Sequence, residues 1–209
     1  MRILVLGGTT EASRLARALA ERSDVEATLS LAGRTEAPAA QPIPTRIGGF
    51  GGAVGLAVYL TEHRIDALVD ATHPFAAQIS RNAAEAARAS ATPIVAFVRP
   101  PWTREEGDRW IEVATLEEAA RAIGETPRRV LLTSGRLGLA SFSVAPQHHY
   151  LIRTIDHPGA LPGLPDHELL LERGPFDLES ERALMEREGI EVVVTKNSGG
   201  AATHPKIVA

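Results

Sequence analysis

Apolar residues run unbroken from Ile3 to Leu6 and stop at Gly7 and Gly8. A short, wholly apolar run of this kind predicts a strand covered on both faces. From Thr10 the pattern changes, and Ala12, Leu15, Ala16, Leu19 and Ala20 recur at helical spacing to make one face of an amphipathic helix. The pair of signals then repeats. Val25 to Leu31 predicts a second strand, residues 35–46 a loop rich in Pro, Ala and Thr, and the stretch from Gly52 to about His63 an apolar helix. Ile65 to Asp70 predicts a strand that turns through Ala71-Thr72-His73-Pro74 into the next helix, with Pro74 at its first position. Pro93 to Val98 predicts another buried strand.

Arg99 to Arg109 (RPPWTREEGDR) breaks every periodicity with two prolines, a glycine and mixed charges. It reads as an interdomain connection, which sets a first lobe at 1–98, a linker at 99–109 and a second lobe at 110–209. Beyond it the alternation restarts. Trp110 to Val113 predicts a short strand, and Thr115-Leu116-Glu117-Glu118 is a capping box opening a helix with Leu116, Ala119, Ala120 and Ile123 on one face. Strands are predicted at Arg129 to Thr133, His149 to Thr154, Glu168 to Glu172 and Ile190 to Thr195, with a helix at Asp177 to Glu188. Lys196 to Gly200 reads as a loop before a last helix from about Ala201. A strand ordinarily follows such a helix, so the second sheet is expected to lack one strand or to borrow one.

Repeated strand–helix units imply parallel sheets flanked by helices. The expected fold is therefore α/β, with two Rossmann-like lobes and the active site in the cleft between them. Ligands in such sheets meet the carboxyl ends of the strands near a topological switch point. The unusual residues gather at those ends.

Composition narrows the function classes. With 44% hydrophobic and 23% charged residues, the 209-residue chain can bury a core, and with 4% aromatics it must do so with Ala, Val, Leu and Ile. Cysteine is absent, which excludes disulfides, thiolate metal sites and a Cys nucleophile. No apolar run suits a signal peptide or a membrane span, so a cytoplasmic protein without a membrane partner is expected. The net charge of −4, with no basic helix, disfavours nucleic acid as a partner. All but two of the 22 basic residues are arginines, for which GC-rich codon usage is explanation enough; only individual arginines at strand ends carry weight.

Gly7-Gly8-Thr9-Thr10, between the first strand and first helix, reads as a cradle for a diphosphate or as an ordinary tight turn. It is neither G-x-G-x-x-G nor a P-loop. Arg34 follows the second strand where a dinucleotide's ribose would lie; an arginine there suits a 2′-phosphate, or is a solvated turn residue. Gly48 to Gly52, with Phe50 amid four glycines, either wraps a ligand or is a flexible turn. His73 in Asp70-Ala71-Thr72-His73-Pro74-Phe75 is the histidine best set for a site, with a structural cap as the bland alternative. His148 and His149 alternate on a strand and face opposite ways, so no metal site is expected. In the second lobe, Thr133-Ser134-Gly135 and Thr195 to Gly200 offer hydroxyls and backbone N–H groups suited to carboxylates, and Lys196 adds a charge. No G-x-S-x-G elbow is present, which argues against covalent hydrolysis.

Taken together, GGTTEA, GGFGG, DATHPFA, the RGPF at Arg173 to Phe176 and TKNSGG resemble the precorrin-6A reductase family of cobalamin biosynthesis. The resemblance spans nearly the whole chain with the motifs in family order. It implies NADPH as cofactor, precorrin-6A as substrate and reduction of one macrocycle double bond to give precorrin-6B. By position it implies Gly7, Gly8, Thr9 and Thr10 at the diphosphate and Arg34 at the 2′-phosphate. Gly49, Phe50, Gly51, Thr72 and His73 would surround the nicotinamide half. Ser134, Gly135, Lys196, Asn197, Ser198 and Gly199 would grip substrate carboxylates, with Arg14 and Arg153 as weaker candidates. Lys196 and His73 are the candidates to organise the proton. The alternatives are a cobalt-precorrin-6A reductase, an NADP-dependent reductase of another small polycarboxylate, and a non-catalytic NADPH-binding protein. Oligomeric state is not readable, and contacts with neighbouring pathway enzymes rest on no residue.

Overall fold

The strand expected at the N-terminus is β1 (Arg2–Leu6), and its apolar run is buried from Ile3 to Leu6. The structure is a computed structural model that describes residues 1–33, 38–161, 163–164 and 166–209. It divides into two compact units, Met1–Arg99 and Pro100–Ala209. In the first, β1 is followed by α1 (Thr10–Ala20), β2 (Glu26–Leu31), β3 (Thr45–Ile47), α2 (Gly52–Glu62), β4 (Ala67–Asp70), α3 (Ala77–Ala89) and β5 (Ile94–Ala96). In the second come α4 (Leu116–Ala122), β6 (Arg129–Leu132), a 3-10 helix (Leu139–Val144), β7 (His149–Thr154), β8 (His167–Leu171), α5 (Leu178–Arg187), β9 (Val192–Val194) and α6 (Pro205–Val208).

Both sheets are parallel throughout. The first has five strands in the order β3-β2-β1-β4-β5, and the second has four in the order β8-β7-β6-β9. In each, strand order reverses beside the unit's first strand, so the switch points lie between β1 and β4 and between β6 and β9. Alternation within the apolar runs explains the layers. Ile3 and Val5 pack with Ala12, Ala16 and Leu29 on the α1 face, while Leu4 and Leu6 pack with Leu56, Leu60, Ala83 and Ala86 on the α2 and α3 face. In the second unit Val130, Leu132, Tyr150 and Ile152 meet Ala120, Ile123 and Phe142, and Leu131 and Leu151 meet Leu184 on the other side. Two α/β lobes of parallel sheet flanked by helices are thus the architecture, as the alternation predicts.

Four local expectations are corrected. Thr45–Ile47, placed in a loop, is an edge strand paired only to β2; three residues with Ile47 58% exposed carry almost no periodic signal. Trp110 to Val113 forms no strand: Ile111 is 72% and Val113 41% exposed, so the run lacks the two-sided burial a parallel strand needs. Pro74 does not open α3, which starts at Ala77. The Ala76 N–H donates to the His73 carbonyl at 2.7 Å, so Pro74 sits second in a four-residue turn, where its fixed φ is equally suited. The last helix starts at Pro205 rather than near Ala201.

Candidate functional site

The first unit's switch point is built from the turns after β1 and β4. The Gly7 N–H continues the ladder by donating to the Ser30 carbonyl at 2.9 Å. A Cβ on Gly7 would lie 2.6 Å from Leu29 Cδ1 and 3.3 Å from the Ala12 Cβ, so this glycine lets α1 pack down on the sheet. Gly8 differs. Its φ is +111° and a Cβ there would meet nothing within 4 Å, which leaves bare backbone facing open space at a helix N-terminus. Thr9 is the N-cap of α1: its hydroxyl accepts from the Ala12 N–H at 3.1 Å and donates to the Ala71 carbonyl at 2.8 Å. Thr10 opens the helix and Arg14 is exposed one turn on. The first-turn carboxylate of Glu11 is paired to Arg99 at 2.6 Å, which offsets its charge beside this N-terminus.

After β4, Asp70 shapes the turn. Its Oδ1 accepts from the Thr72 N–H at 3.1 Å and from the Thr72 hydroxyl at 2.6 Å. His73 Nδ1 accepts from the Phe75 N–H at 3.2 Å, so it carries a lone pair and the neutral ring bears its proton on Nε2. The glycine-rich stretch is held as firmly. Arg46 Nη1 donates to the Ser30 hydroxyl at 3.0 Å and the Gly48 carbonyl at 2.8 Å, and Nη2 to the Gly49 carbonyl at 3.2 Å. Its guanidinium lies 3.8 Å over the Phe50 ring. Gly51, at φ +80°, is the N-cap of α2, and Gly49 is exposed. A Cβ on Gly55 would sit 1.7 Å from the Phe50 carbonyl oxygen, so that helix position admits no side chain. Arg46 and Gly55 were missed from sequence. A lone glycine inside a helical pattern was the available signal for the second; Arg46 had none. Arg34 lies outside the described residues.

The second unit repeats the arrangement between β6 and β9. Thr133 donates to the Val194 carbonyl through both its N–H, at 2.9 Å, and its hydroxyl, at 3.2 Å. Ser134 follows, 4% exposed, its buried hydroxyl without a partner among the described residues, and Gly135 turns away at φ +80°. After β9 the Ser198 N–H donates to the Lys196 carbonyl at 2.8 Å, a three-residue turn with Asn197 at its centre. Ser198 and Gly199 are buried, Lys196 and Asn197 partly so. The Asn197 amide is bonded to the backbone of Trp102, and the segment expected as a bare connection is tied to this loop. Arg153 is set apart from these loops: it is 6% exposed, its Nη1 2.8 Å from the Glu181 carboxylate and its guanidinium 4.3 Å over the Phe176 ring. The Phe176 N–H in turn donates to the Ala202 carbonyl at 3.1 Å.

His148, wholly buried against Tyr150, is held below its ordinary value by desolvation, and burial pushes the Tyr150 phenol up to about 12. Among the described residues no group of three His, Asp or Glu side chains is placed to hold a metal, and no helix is long and apolar enough to cross a membrane.

Residues 2–209 match the family described as precorrin-6x reductase CbiJ/CobK. The chain belongs to that family. It is 52% identical to the precorrin-6A reductase of Rhodobacter capsulatus over all of its own length and 82% of that protein's. A solved structure named CobK precorrin-6A reductase superposes with a TM-score of 0.96 at 52% identity, covering the whole chain and 82% of its counterpart. The cobalt-precorrin-6A reductase of Priestia megaterium is 31% identical across 99% of this chain and 84% of its own. Membership makes the protein an oxidoreductase.

Proposed function

We propose that the protein reduces one macrocycle double bond of precorrin-6A with NADPH to give precorrin-6B, a step of cobalamin biosynthesis, as the family resemblance implies. The observation that carries the reading is the bare Gly8 backbone beside the capped N-terminus of α1 at the first switch point, in a chain 52% identical to a precorrin-6A reductase over its full length. When bound, NADPH supplies the hydride, and a proton from a side chain or water completes the reduction and leaves NADP+.

This chain's residues bind and orient. Gly7 and Gly8 bring backbone close to the diphosphate, and the first-turn N–H groups of α1 face its charge. Thr9 fixes that turn against Ala71. Arg34 meets the 2′-phosphate. Gly49, Phe50, Gly51, Thr72 and His73 line the nicotinamide half, with His73 Nε2 presenting the ring's proton. Ser134 and Gly135 receive substrate carboxylates with Lys196 and Ser198, and Lys196 places a positive charge where propionates and acetates arrive. Arg14, exposed on α1, remains a candidate for the same groups. Arg153 is assigned instead to holding Phe176 and Glu181, because a guanidinium so deeply paired is already committed. The metal-free ring is preferred because precorrin-6A names the relative at 52% identity and the cobalt form the one at 31%.

The test is to mix the protein with NADPH and metal-free precorrin-6A under anaerobic conditions, following nicotinamide and pigment absorbance together. Loss of NADPH in step with a pigment change supports the reading. NADPH binding with turnover of the cobalt form alone moves the substrate to that branch. No NADPH binding at all overturns it.

A further inference from the structure

Trp102 stands outside every motif, yet three of its groups hydrogen-bond to the loop after β9. Its backbone N–H donates to Asn197 Oδ1 at 2.8 Å, and its carbonyl accepts from Asn197 Nδ2 at 2.9 Å. The primary amide of Asn197 thus occupies both backbone groups of one residue 95 positions away, as a paired strand residue would. The indole N–H donates to the Gly200 carbonyl at 2.9 Å, and the Lys206 ammonium lies 5.1 Å from the ring centroid. The His204 ring lies 5.8 Å from it. Next to this, Gly199 has φ +64°, and a Cβ on it would fall 1.9 Å from the Pro100 carbonyl oxygen. Pro100 and Trp102 therefore seat the loop from Asn197 to Gly200 through four separate groups.

We infer that Trp102 and the Asn197 amide form a latch that positions the Lys196–Gly200 loop for a substrate carboxylate, so that the first task of Asn197 and Gly199 is to hold the loop. The inference rests on the substrate assignment above and refines it. The Asn197 oxygen and one of its two amide hydrogens are bonded at 2.8–2.9 Å, so the amide's orientation is set by Trp102 and only its second N–H is left over. Gly199 has no side chain to offer, and its packing against Pro100 accounts for it. The short turn at Lys196–Ser198 is held from behind, which fixes the direction of the backbone N–H groups and side chains on either side of Asn197. Trp102 is in this sense a positioning residue.

Two substitutions separate the latch from direct contact. Trp102→Phe keeps an aromatic ring and the backbone bonds, removes the indole N–H together with the second ring, and changes no residue assigned to the substrate. Asn197→Asp keeps the acceptor for the Trp102 N–H, loses the donor to its carbonyl and adds a charge that also repels carboxylates, so the neutral W102F decides. Both full-length variants are expected to exchange the amides of residues 197–201 faster in deuterium exchange. Both should raise KM for the tetrapyrrole about tenfold, with kcat and the KM for NADPH within about twofold of the parent. Exchange unchanged in W102F, or faster exchange at unaltered tetrapyrrole KM, would overturn the latch, as would a large KM effect confined to N197D. A parent protein that consumes no precorrin-6A would sink the substrate assignment instead, while the exchange data on W102F would still show whether Trp102 holds the loop.

Discussion

The Thr9 hydroxyl donates to the Ala71 carbonyl at 2.8 Å, so the residue that caps α1 also ties the turn after β1 to the turn after β4. One atom thereby sets both walls of the first switch point. Thr9→Val removes cap and tie together and is expected to cost about 1–2 kcal/mol of stability. It should raise the Kd for NADPH severalfold. Thr9→Ser keeps both bonds and should behave as the parent in thermal melts and NADPH titration.

Arg46 offers a cleaner probe of the glycine-rich stretch, because it binds Gly48 and Gly49 through their carbonyls and leaves their backbone as it is. Arg46→Lys keeps the charge and loses the planar fork that reaches three acceptors. The KM for NADPH is expected to rise about fivefold with little change in the tetrapyrrole KM. Equal shifts in both constants would show that Arg46 supports the unit as a whole.

Gly55→Ala should be far more damaging than a helical Gly→Ala exchange ordinarily is. Intrinsic propensity favours alanine by about 1 kcal/mol. The added methyl, however, would lie 1.7 Å from the Phe50 carbonyl oxygen, which is backbone and can move only with the loop. A net loss of about 2–3 kcal/mol is expected from overpacking, read as a lower urea midpoint.

Arg153 and Glu181 are each nearly inaccessible, at 6% and 1% exposure, and 2.8 Å apart. Glu181→Ala leaves the buried guanidinium with only the half-exposed Glu172 carboxylate, 3.3 Å from its Nε, and should cost about 3 kcal/mol. Should the variant fold, its melting curve and its tetrapyrrole KM separate the two roles considered for Arg153. A structural pair lowers stability and leaves KM near that of the parent.

His148 makes stability depend on pH in a defined direction. Desolvation holds its folded value below the ordinary 6.5, so below that pH the unfolded chain takes up a proton that the folded one refuses. Stability contributed by the neutral ring is full above about pH 6.5 and falls as pH drops towards the folded value. Urea midpoints between about pH 7.5 and about pH 5 should decline less in His148→Phe than in the parent.

The strands that read most directly from sequence are β1 and β6, whose neighbours on both sides and both faces make every position after the first apolar. Legibility fell with length and exposure. Thr45–Ile47 is too short to show a period, and Trp110 to Val113 is apolar without being buried. At the switch points, glycines and hydroxyls marked the strand ends because such turns demand small or capping residues. What each residue touches was not legible. The sequence does not show that the Asn197 amide pairs with the backbone of Trp102, 95 residues earlier, or that Gly7 also makes room for α1 against Leu29 and Ala12. Arg46 reaches its partners by folding back over its own loop, a geometry that spacing does not encode.

The boundary between the two units falls at Arg99 and Pro100, and Trp102 stands immediately beyond it. Pro100 and Trp102 are therefore inseparable from a loop at the far end of their own unit, although in the chain they look like its leading tail. In a chimaera that joins the first unit of one reductase to the second of another, a crossover just before Pro100 would carry the seat of the Lys196–Gly200 loop along with it. A crossover a few residues later would pair that loop with a foreign tryptophan and proline, and recombination between diverged relatives is expected to tolerate the first and penalise the second.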